Sequence, residues 1–366
     1  MEKFGFLLHP LQAADIARKY PLLGKFSPRV LERCLRYAPP FRIARIRGVA
    51  SPYAVAEGVF VACPLTSAQM LALPEAYVLD KIVRAGKLAQ REGARILGLG
   101  AFTSVVGDAG VTVARRLDIP VTTGNSYTVA TAIEGAKLAA REMGLDLREA
   151  HVVVLGATGS IGAACAQILA GETRYLTLAA RSEARLEKLA AEIYRRCGLA
   201  VRITKRVRAA LRQADLIIAV TSAVEGVIEA DDLKSGAVVC DVARPRNVSR
   251  AVAERRGDVL VVEGGVVEVP GDVDFGFDFG FPPRMAYACM AETMILALEG
   301  RYESFTLGRQ LTLRQIECIS ALARKHGFKL AGLRSFERAV TQEEIQRIKE
   351  NVQRARAARA LHAKTP

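Results

Sequence analysis

Three glycines spaced three residues apart follow an apolar run near the middle of the chain. The run His151–Leu155 leads directly into Gly156-Ala-Thr-Gly159-Ser-Ile-Gly162, after which small and apolar residues recur at helical spacing. A strand, a glycine-rich turn and a helix in this order form the phosphate-binding unit of a Rossmann-type dinucleotide site. The helix N-terminus offers N–H groups to the pyrophosphate. The predicted phosphate-binding residues are Gly156, Thr158, Gly159, Ser160, Ile161 and Gly162.

The next predicted strand, Tyr175–Ala180, ends where the residue that reads the ribose should lie. An NAD site usually carries Asp or Glu there, whereas this chain has Arg181 followed by Ser182. A guanidinium binds a 2′-phosphate through two hydrogen bonds, and a carboxylate repels it. We therefore predict NADP as the cofactor, bound by Arg181 and Ser182. Glu183 lies close by, and the alternative is that Arg181 is an ordinary surface charge.

Strands alternate with helical segments on both sides of this motif, which predicts an α/β fold. We expect a Rossmann-type, doubly wound parallel sheet, an N-terminal α/β substrate domain and C-terminal helices. The expected domains are residues 1–148 for substrate, 149–270 for NADP, and 271–366 for a loop and the C-terminal helices. Within the nucleotide domain, Thr221 and Ser222 directly follow the predicted strand Asp215–Val220. Asp241 is the last residue of the predicted strand Ala237–Asp241. Because such sheets bind ligands at the carboxyl ends of their strands, we predict that Thr221 and Ser222 contact the cofactor.

Two further stretches are candidates for the substrate side. Thr122-Thr-Gly-Asn125-Ser126 ends a short strand before a long helix, so Asn125 and Ser126 are predicted to contact substrate. An ordinary turn with a helix N-cap is an equally good interpretation. The aromatic, glycine-rich stretch 270–283 suits either a lid over an apolar substrate or a packed loop.

Composition limits the classes of partner. The chain has 366 residues and a formal net charge of +14, which suits acidic or phosphorylated partners but equally a solvated, arginine-rich surface. It has no nucleic-acid-binding motif, no signal-peptide pattern and no apolar run long enough to cross a membrane, although peripheral membrane contact stays open. The seven cysteines lack a CxxC pair, and the four histidines are scattered, so we expect reduced thiols, a cytoplasmic location and no metal. The basic C-terminal tail suits a surface or oligomer-contact helix.

Several passages in the same order resemble the long-chain acyl-(acyl-carrier-protein) reductase family of cyanobacteria and their bacterial relatives. They are Leu99-Gly-Ala-Phe-Thr-Ser104, Thr122-Thr-Gly-Asn-Ser126, Val154-Leu-Gly-Ala-Thr-Gly-Ser-Ile-Gly162, Gly264-Gly-Val-Val-Glu268, Met285-Ala-Tyr-Ala-Cys289-Met-Ala-Glu292 and Glu299-Gly300. Val238-Val-Cys-Asp-Val-Ala-Arg-Pro-Arg-Asn247 is more distantly similar to glutamyl-tRNA reductase, and the overall layout to shikimate dehydrogenase.

The resemblance implies an NADPH-dependent reductase that converts an acyl thioester of acyl carrier protein or coenzyme A to a fatty aldehyde. Cys289 occupies the place of the acyl-accepting cysteine, and Arg284 or the first turn of its helix is expected to activate it. Judged without the resemblance, Cys289 is one of seven scattered cysteines and a buried thiol is the simpler interpretation. Where the family has Thr-Gly-Asn-Thr-His-Thr, this chain has Ser126 and Tyr127 in place of the second threonine and the histidine. The histidine of the family is therefore not available here as an acid or base. The tail beyond residue 334 lies outside the resemblance.

The sequence leaves two other functions open. One is an NADP-dependent dehydrogenase of the shikimate or amino-acid type, which oxidises a small hydroxy or amino acid with Lys81 as the base. The other is a non-catalytic protein that binds or senses NADP(H). Tyr77 and Lys81 also match the Tyr-xxx-Lys pair of short-chain dehydrogenases, but they precede the glycine loop, which argues against that assignment.

Overall fold

The computed structural model describes residues 1–16, 20–221, 227–278 and 280–362. The strands are β1 (Glu2–Leu8), β2 (Phe41–Ala50), β3 (Val55–Ala62), β4 (Leu97–Leu99), β5 (Val121–Thr122), β6 (His151–Leu155), β7 (Tyr175–Ala179), β8 (Arg202–Thr204), β9 (Leu216–Ala219), β10 (Val238–Asp241), β11 (Leu260–Glu263), β12 (Val266–Glu268), β13 (Met285–Tyr287), β14 (Lys329–Leu330), β15 (Arg334–Ser335) and β16 (Arg338–Ala339).

The α-helices are α1 (Pro28–Tyr37), α2 (Ser67–Ala72), α3 (Glu75–Arg91), α4 (Val111–Arg115), α5 (Asn125–Glu142), α6 (Ser160–Leu169), α7 (Glu183–Cys197), α8 (Val207–Leu211), α9 (Arg250–Arg255), α10 (Ala288–Leu298), α11 (Leu313–His326) and α12 (Gln342–His362). Short 3-10 helices cover Ala13–Asp15, Pro21–Lys25, Ala101–Ser104 and Ala230–Asp232. Across the described ranges, no helix combines the length and the apolar character needed to cross a membrane.

The chain forms two compact units. The first contains residues 1–130 and 266–331, and the second contains residues 131–265 and 332–366. These boundaries differ from the domains expected from the sequence, because the segment 266–331 folds with the N-terminal residues. Strand β12 pairs with β13 and β14, and the apolar residues of α10 share one core with β1 and β3.

The second unit contains the predicted Rossmann-type sheet. Its strand order is β11-β10-β9-β6-β7-β8, and every neighbouring pair is parallel. This is the doubly wound arrangement, in which the order of successive strands reverses between β6 and β9 while the strands stay parallel. The predicted fold class is thus confirmed, and the glycine loop after β6 lies at the switch point where such sheets bind nucleotides.

The first unit contains a smaller sheet with the order β2-β3-β1-β4-β5, parallel except for β2 at its edge. Part of the stretch 270–283 packs against β2. Val273 and Phe275 are buried in the core, and the Asp274 backbone forms a bridge with Arg47. A side chain on Gly271 would lie 2.2 Å from the carbonyl oxygen of Gly48. For residues 271–275 the structure therefore favours the packed loop over the mobile lid.

Candidate nucleotide site and candidate acyl-accepting cysteine

Two of the three glycines in the loop of the second unit, Gly156 and Gly162, leave no room for a side chain. Gly156 has φ +86, and an added Cβ would lie 3.0 Å from the backbone of Val220 and Thr221 at the end of β9. A Cβ on Gly162 would lie 2.3 Å from the carbonyl oxygen of Gly156. Gly159 is exposed and caps the N-terminus of α6. The first N–H groups of that helix have no intrahelical acceptor, so the loop fits a dinucleotide pyrophosphate.

Positive charge surrounds the position expected to read the ribose. Arg181 follows β7 and is exposed, and the half-buried Ser182 caps the N-terminus of α7. The nearby carboxylate of Glu183 accepts a hydrogen bond from Lys205 Nζ at 2.5 Å, and Arg185 donates to the carbonyl oxygen of Thr158 at 2.6 Å. Because Lys205 offsets the charge of Glu183, the cations at this edge could hold a phosphate group.

The side-chain amide of Asn247, which was not among the predicted site residues, holds the end of β9. The Asn247 side chain accepts from the Thr221 N–H at 3.2 Å and donates to the Thr221 carbonyl at 3.1 Å. Asn247 is itself positioned by Asp241, whose carboxylate accepts from the N–H groups of Ala243, Asn247 and Val248. Burial raises the pKa of Asp241 to about 6. Thr221 therefore lies on a fixed wall beside Gly156. Ser222, also predicted to bind the cofactor, lies outside the described residues.

Cys289 of the first unit is the second residue of α10, next to its N-terminus. Ten of the eleven residues of this helix are buried, and the exception is Cys289, which is partly exposed. Arg284, the other candidate for activating the thiol, pairs with Glu268 at 3.1 Å. The positive end of a helix favours an anionic thiolate. The helix terminus is thus the better supported of the two activating groups.

The turn before α5 lies directly against Cys289. Gly124 has φ +73, and an added Cβ would lie 2.3 Å from the Cα and 2.5 Å from the Cβ of Cys289. Glycine is therefore required here both by the backbone conformation and by the close approach. This contact joins the predicted substrate segment 122–126 to the predicted nucleophile.

A buried carboxylate on the same helix holds that turn in place. Glu292 is fully buried. It accepts hydrogen bonds from the Thr122 hydroxyl at 2.5 Å, the Ser126 hydroxyl at 2.7 Å and the Tyr127 N–H at 2.9 Å. The Ser126 hydroxyl is also 2.7 Å from that of Thr306. Ser126 and Tyr127 lie in the first turn of α5, whose positive end favours a carboxylate, and Thr122 lies at the end of β5. Glu292 was not predicted as a site residue, although a lone carboxylate in an apolar helix was a usable signal.

The two predicted substrate residues lie in different surroundings. Ser126 is fully buried, and its hydroxyl is engaged by Glu292 and Thr306, so its position suits a structural role. Asn125 is 9% exposed, begins α5 and is adjacent to Gly124. Its side-chain amide makes no hydrogen bond within the described part of the chain. Of the two, Asn125 is the better placed to meet a ligand beside Cys289.

Comparison with known proteins identifies the family. The model of the shikimate/quinate 5-dehydrogenase family matches residues 137–262. Over 344 residues the chain is 31% identical to the long-chain acyl-[acyl-carrier-protein] reductase of Synechococcus elongatus. This alignment covers 89% of this chain and 97% of that protein. The chain belongs to this acyl-ACP reductase family. It is also 30% identical over 359 residues to the aminotransferase PigE of a Serratia species, covering 95% of this chain and 42% of that protein. The chain thus spans less than half the length of PigE.

In this member of the acyl-ACP reductase family, Lys81 and Tyr77 have a structural role. Lys81 is buried, and its ammonium donates to the carbonyl oxygen of Ala38 at 2.6 Å and to that of Leu35 at 3.4 Å. The Tyr77 hydroxyl donates to the carbonyl of Arg36 at 2.5 Å. Both side chains therefore cap the C-terminal end of α1. This geometry does not favour Lys81 as a catalytic base.

Three other cysteines of the chain lie in surroundings that disfavour a thiolate. Cys63, Cys165 and Cys240 are fully buried. Burial raises the pKa of the Cys63 and Cys165 thiols to about 12, and it raises the pKa of Cys240 as well. A thiol with so high a pKa is protonated at neutral pH and does not attack a thioester. These three positions are therefore unsuited to accept an acyl group.

Proposed function

We propose that this protein reduces a long-chain acyl thioester to a fatty aldehyde, with NADPH as the reductant and Cys289 as the acyl acceptor. Membership of the acyl-ACP reductase family supports the reaction class. The observation that carries the proposal is the position of Cys289: it is the one partly exposed residue of a buried helix, and it lies at the helix end that favours a thiolate.

The first half-reaction is an acyl transfer to sulfur. The Cys289 thiolate attacks the thioester carbonyl carbon, a bond forms to its sulfur, and the bond to the pantetheine sulfur breaks. The pantetheine thiolate leaves and takes up a proton. Gly124 lies against Cys289, and the neighbouring Asn125 would offer an amide N–H to the carbonyl oxygen. Glu292 acts at a distance, because it fixes the turn that contains both residues.

The second half-reaction needs a reductant held by the second unit. Gly156, Gly159 and Gly162 would hold the pyrophosphate, Arg181 the 2′-phosphate, and Thr221 would line the wall beside the loop. A bound NADPH would supply a hydride to the thioester carbonyl carbon. A C–H bond then forms there, the bond to the Cys289 sulfur breaks, and the products are the aldehyde and the Cys289 thiolate.

The carrier of the acyl group is an acidic or phosphorylated molecule in this proposal. Acyl carrier protein and coenzyme A present the same pantetheine thioester, and the net charge of +14 suits both because each is anionic. The reductase of Synechococcus elongatus is named for the carrier protein. That name favours acyl carrier protein as the physiological carrier.

The proposal is tested by measuring aldehyde formation with NADPH and a series of acyl thioesters of increasing chain length, on acyl carrier protein and on coenzyme A. The wild-type protein should form aldehyde, and Cys289→Ser should form none above background. Cys197→Ser, which removes an exposed thiol of the second unit, is the matched control and should keep full activity. Normal turnover by Cys289→Ser would refute the covalent route. Oxidation of a small hydroxy acid by the wild-type protein, with no aldehyde from any thioester, would refute the proposal as a whole.

A further inference from the structure

Residues 20–37 of the first unit present an unusual number of apolar side chains to solvent. This stretch consists of the 3-10 helix Pro21–Lys25 and helix α1. Leu22 is 74% exposed and Phe26 is 54% exposed. The exposed large apolar residues of the stretch are Tyr20, Leu22, Leu23, Phe26, Val30 and Tyr37. Because exposed apolar groups are normally scattered, their concentration in one short stretch indicates a contact surface, which we call the 20–37 surface.

The same surface is strongly cationic. Its basic residues are Lys25, Arg29, Arg33 and Arg36, and all four are exposed. None of them forms an ion pair with any residue that the structure describes. Glu32, the single acidic residue of the stretch, is partly buried. The surface therefore has a net positive charge that the first unit does not balance locally.

Helix α1 separates these two properties into stripes. Arg29, Arg33 and Arg36 follow each other at i, i+4 and i+7, so they share one face of the helix. Val30, Cys34 and Tyr37 repeat this spacing one position later and form an exposed, largely apolar stripe beside the arginines. Leu31 is buried and turns inward. A fixed helix with a cationic stripe next to an exposed apolar stripe is typical of an element that lies in a membrane interface.

The end of α1 is anchored to the rest of the first unit. Tyr77 and Lys81 donate hydrogen bonds to the last carbonyl groups of the helix, and Gln69 Nε2 donates to the Glu32 carbonyl at 2.7 Å. The apolar and cationic stripes are therefore presented in a fixed orientation. An anchored surface loses little conformational freedom when it binds a partner.

We propose that the 20–37 surface binds the anionic face of a lipid bilayer, with the arginines and Lys25 on the headgroup phosphates and Leu22, Phe26 and Val30 in the acyl-chain boundary. A second copy of the chain is a poorer occupant, because a symmetric contact sets the same four cations against each other. An acidic protein partner would pair with the cations, but such a partner would not explain why the apolar side chains of Leu22 and Phe26 are exposed. The inference does not depend on the proposed function, although a membrane is where long acyl chains and fatty aldehydes partition.

The chain has no tryptophan, which gives a clean test. Phe26→Trp introduces a single fluorophore within the surface, and Tyr194→Trp places one at an exposed site on α7 of the second unit as the control. Vesicles of phosphatidylcholine mixed with phosphatidylglycerol should shift the emission of the Phe26→Trp protein to the blue, and vesicles of phosphatidylcholine alone should shift it much less. The control should not respond to either. Equal or absent shifts for both vesicles would overturn the proposal, as would a shift caused by acyl carrier protein and by neither vesicle.

Charge removal provides the second test, by co-sedimentation with the anionic vesicles. The triple variant Arg29→Gln, Arg33→Gln, Arg36→Gln should bind about 100-fold more weakly, since each basic residue near an anionic membrane contributes about a factor of five. The matched control changes three exposed arginines of α12, namely Arg347, Arg354 and Arg356, and should bind like wild type. If the α12 variant loses binding and the α1 variant does not, the membrane contact lies elsewhere and the proposal is wrong.

Discussion

Replacing Glu292 tests how the turn beside Cys289 is held. In Glu292→Ala, the Thr122 hydroxyl and the Tyr127 N–H lose their acceptor, whereas Ser126 keeps its contact with Thr306. A buried donor without a partner costs about 1–3 kcal/mol. Two such donors predict a loss of about 2–6 kcal/mol in the free energy of unfolding. Because the same turn lies against Cys289, acylation of the thiol should slow at least tenfold.

Glu292→Gln separates the hydrogen bonds from the charge. The amide oxygen accepts from Ser126 and Tyr127, whereas the amide nitrogen cannot accept from Thr122, so only the Thr122 hydroxyl loses its acceptor. We expect a loss of about 1–3 kcal/mol in the free energy of unfolding, about half that of Glu292→Ala, and an acylation rate within a few-fold of wild type. Glu292→Gln should therefore acylate faster than Glu292→Ala.

Urea unfolding gives the stabilities, and the appearance of the acyl-enzyme mass gives the rates. Glu317→Ala removes an exposed carboxylate from α11 in the same unit and should change stability by no more than about 0.5 kcal/mol. If Glu292→Ala unfolds at the same urea concentration as wild type and acylates at the same rate, Glu292 does not hold the turn.

Three further predictions concern single positions. Gly124→Ala should lower the free energy of unfolding by about 2–5 kcal/mol and abolish acylation, because it adds a clash with Cys289 to the strain of φ +73. Gly144→Ala is the control, since Gly144 has φ +73 but open space around it. It should lower the free energy of unfolding by only about 1–2 kcal/mol in the same urea titration. Arg181→Ala should raise the KM for NADPH about 10- to 100-fold and leave that for NADH unchanged; a parallel rise for both cofactors would remove Arg181 from the 2′-phosphate site. Burial raises the pKa of Asp241 to about 6, so between about pH 4 and 6 the folded protein keeps a proton that the unfolded chain releases. As the pH rises through this range, the Asp241 carboxyl therefore lowers the free energy of unfolding by about 3 kcal/mol. Asp241→Asn should lack that component of the pH profile of unfolding, and an unchanged profile would contradict it.

The Rossmann-type unit could be predicted closely from the sequence because its signals are local. A continuous apolar run, a glycine turn and a helical repeat lie within a short stretch, and β9 was expected at Asp215–Val220 and occurs at Leu216–Ala219. Parallel strands that are buried on both faces leave such runs in the sequence. Their order in the sheet follows from the motif and the doubly wound rule.

Strand β2 was missed, and the helix that contains Cys289 was predicted to begin too early. β2 carries Arg42, Arg45 and Arg47, and its pairing with β3 shifts register at two places, so it shows no clean alternation. The helical spacing of apolar residues predicts a helix from about Arg284 through Cys289 to Glu299, but residues Met285–Tyr287 form β13. That strand depends on pairing with β12, and local helical spacing carries no information about such a partner.

The candidate site beside Cys289 could be predicted only in part. The family resemblance pointed to Cys289 and to the segment around Asn125, but neither the role of Glu292 nor that of Asn247 was expected. The donors to Glu292 lie more than 160 residues away in the chain. Hydrogen bonds over such separations arise from the tertiary fold, and a single sequence does not reveal them. The segment 266–331 was likewise separated from the N-terminal unit because its partners are distant in sequence.

Intact-mass spectrometry shows whether an acyl group is attached to Cys289. The protein is incubated with a long-chain acyl thioester in the absence of NADPH, and the intact mass and the modified peptide are determined. We expect one added acyl group, located on the peptide that contains Cys289, released by hydroxylamine and absent from Cys289→Ser. An unmodified Cys289 in a preparation that forms aldehyde once NADPH is added, or an acyl group on another cysteine, would contradict it.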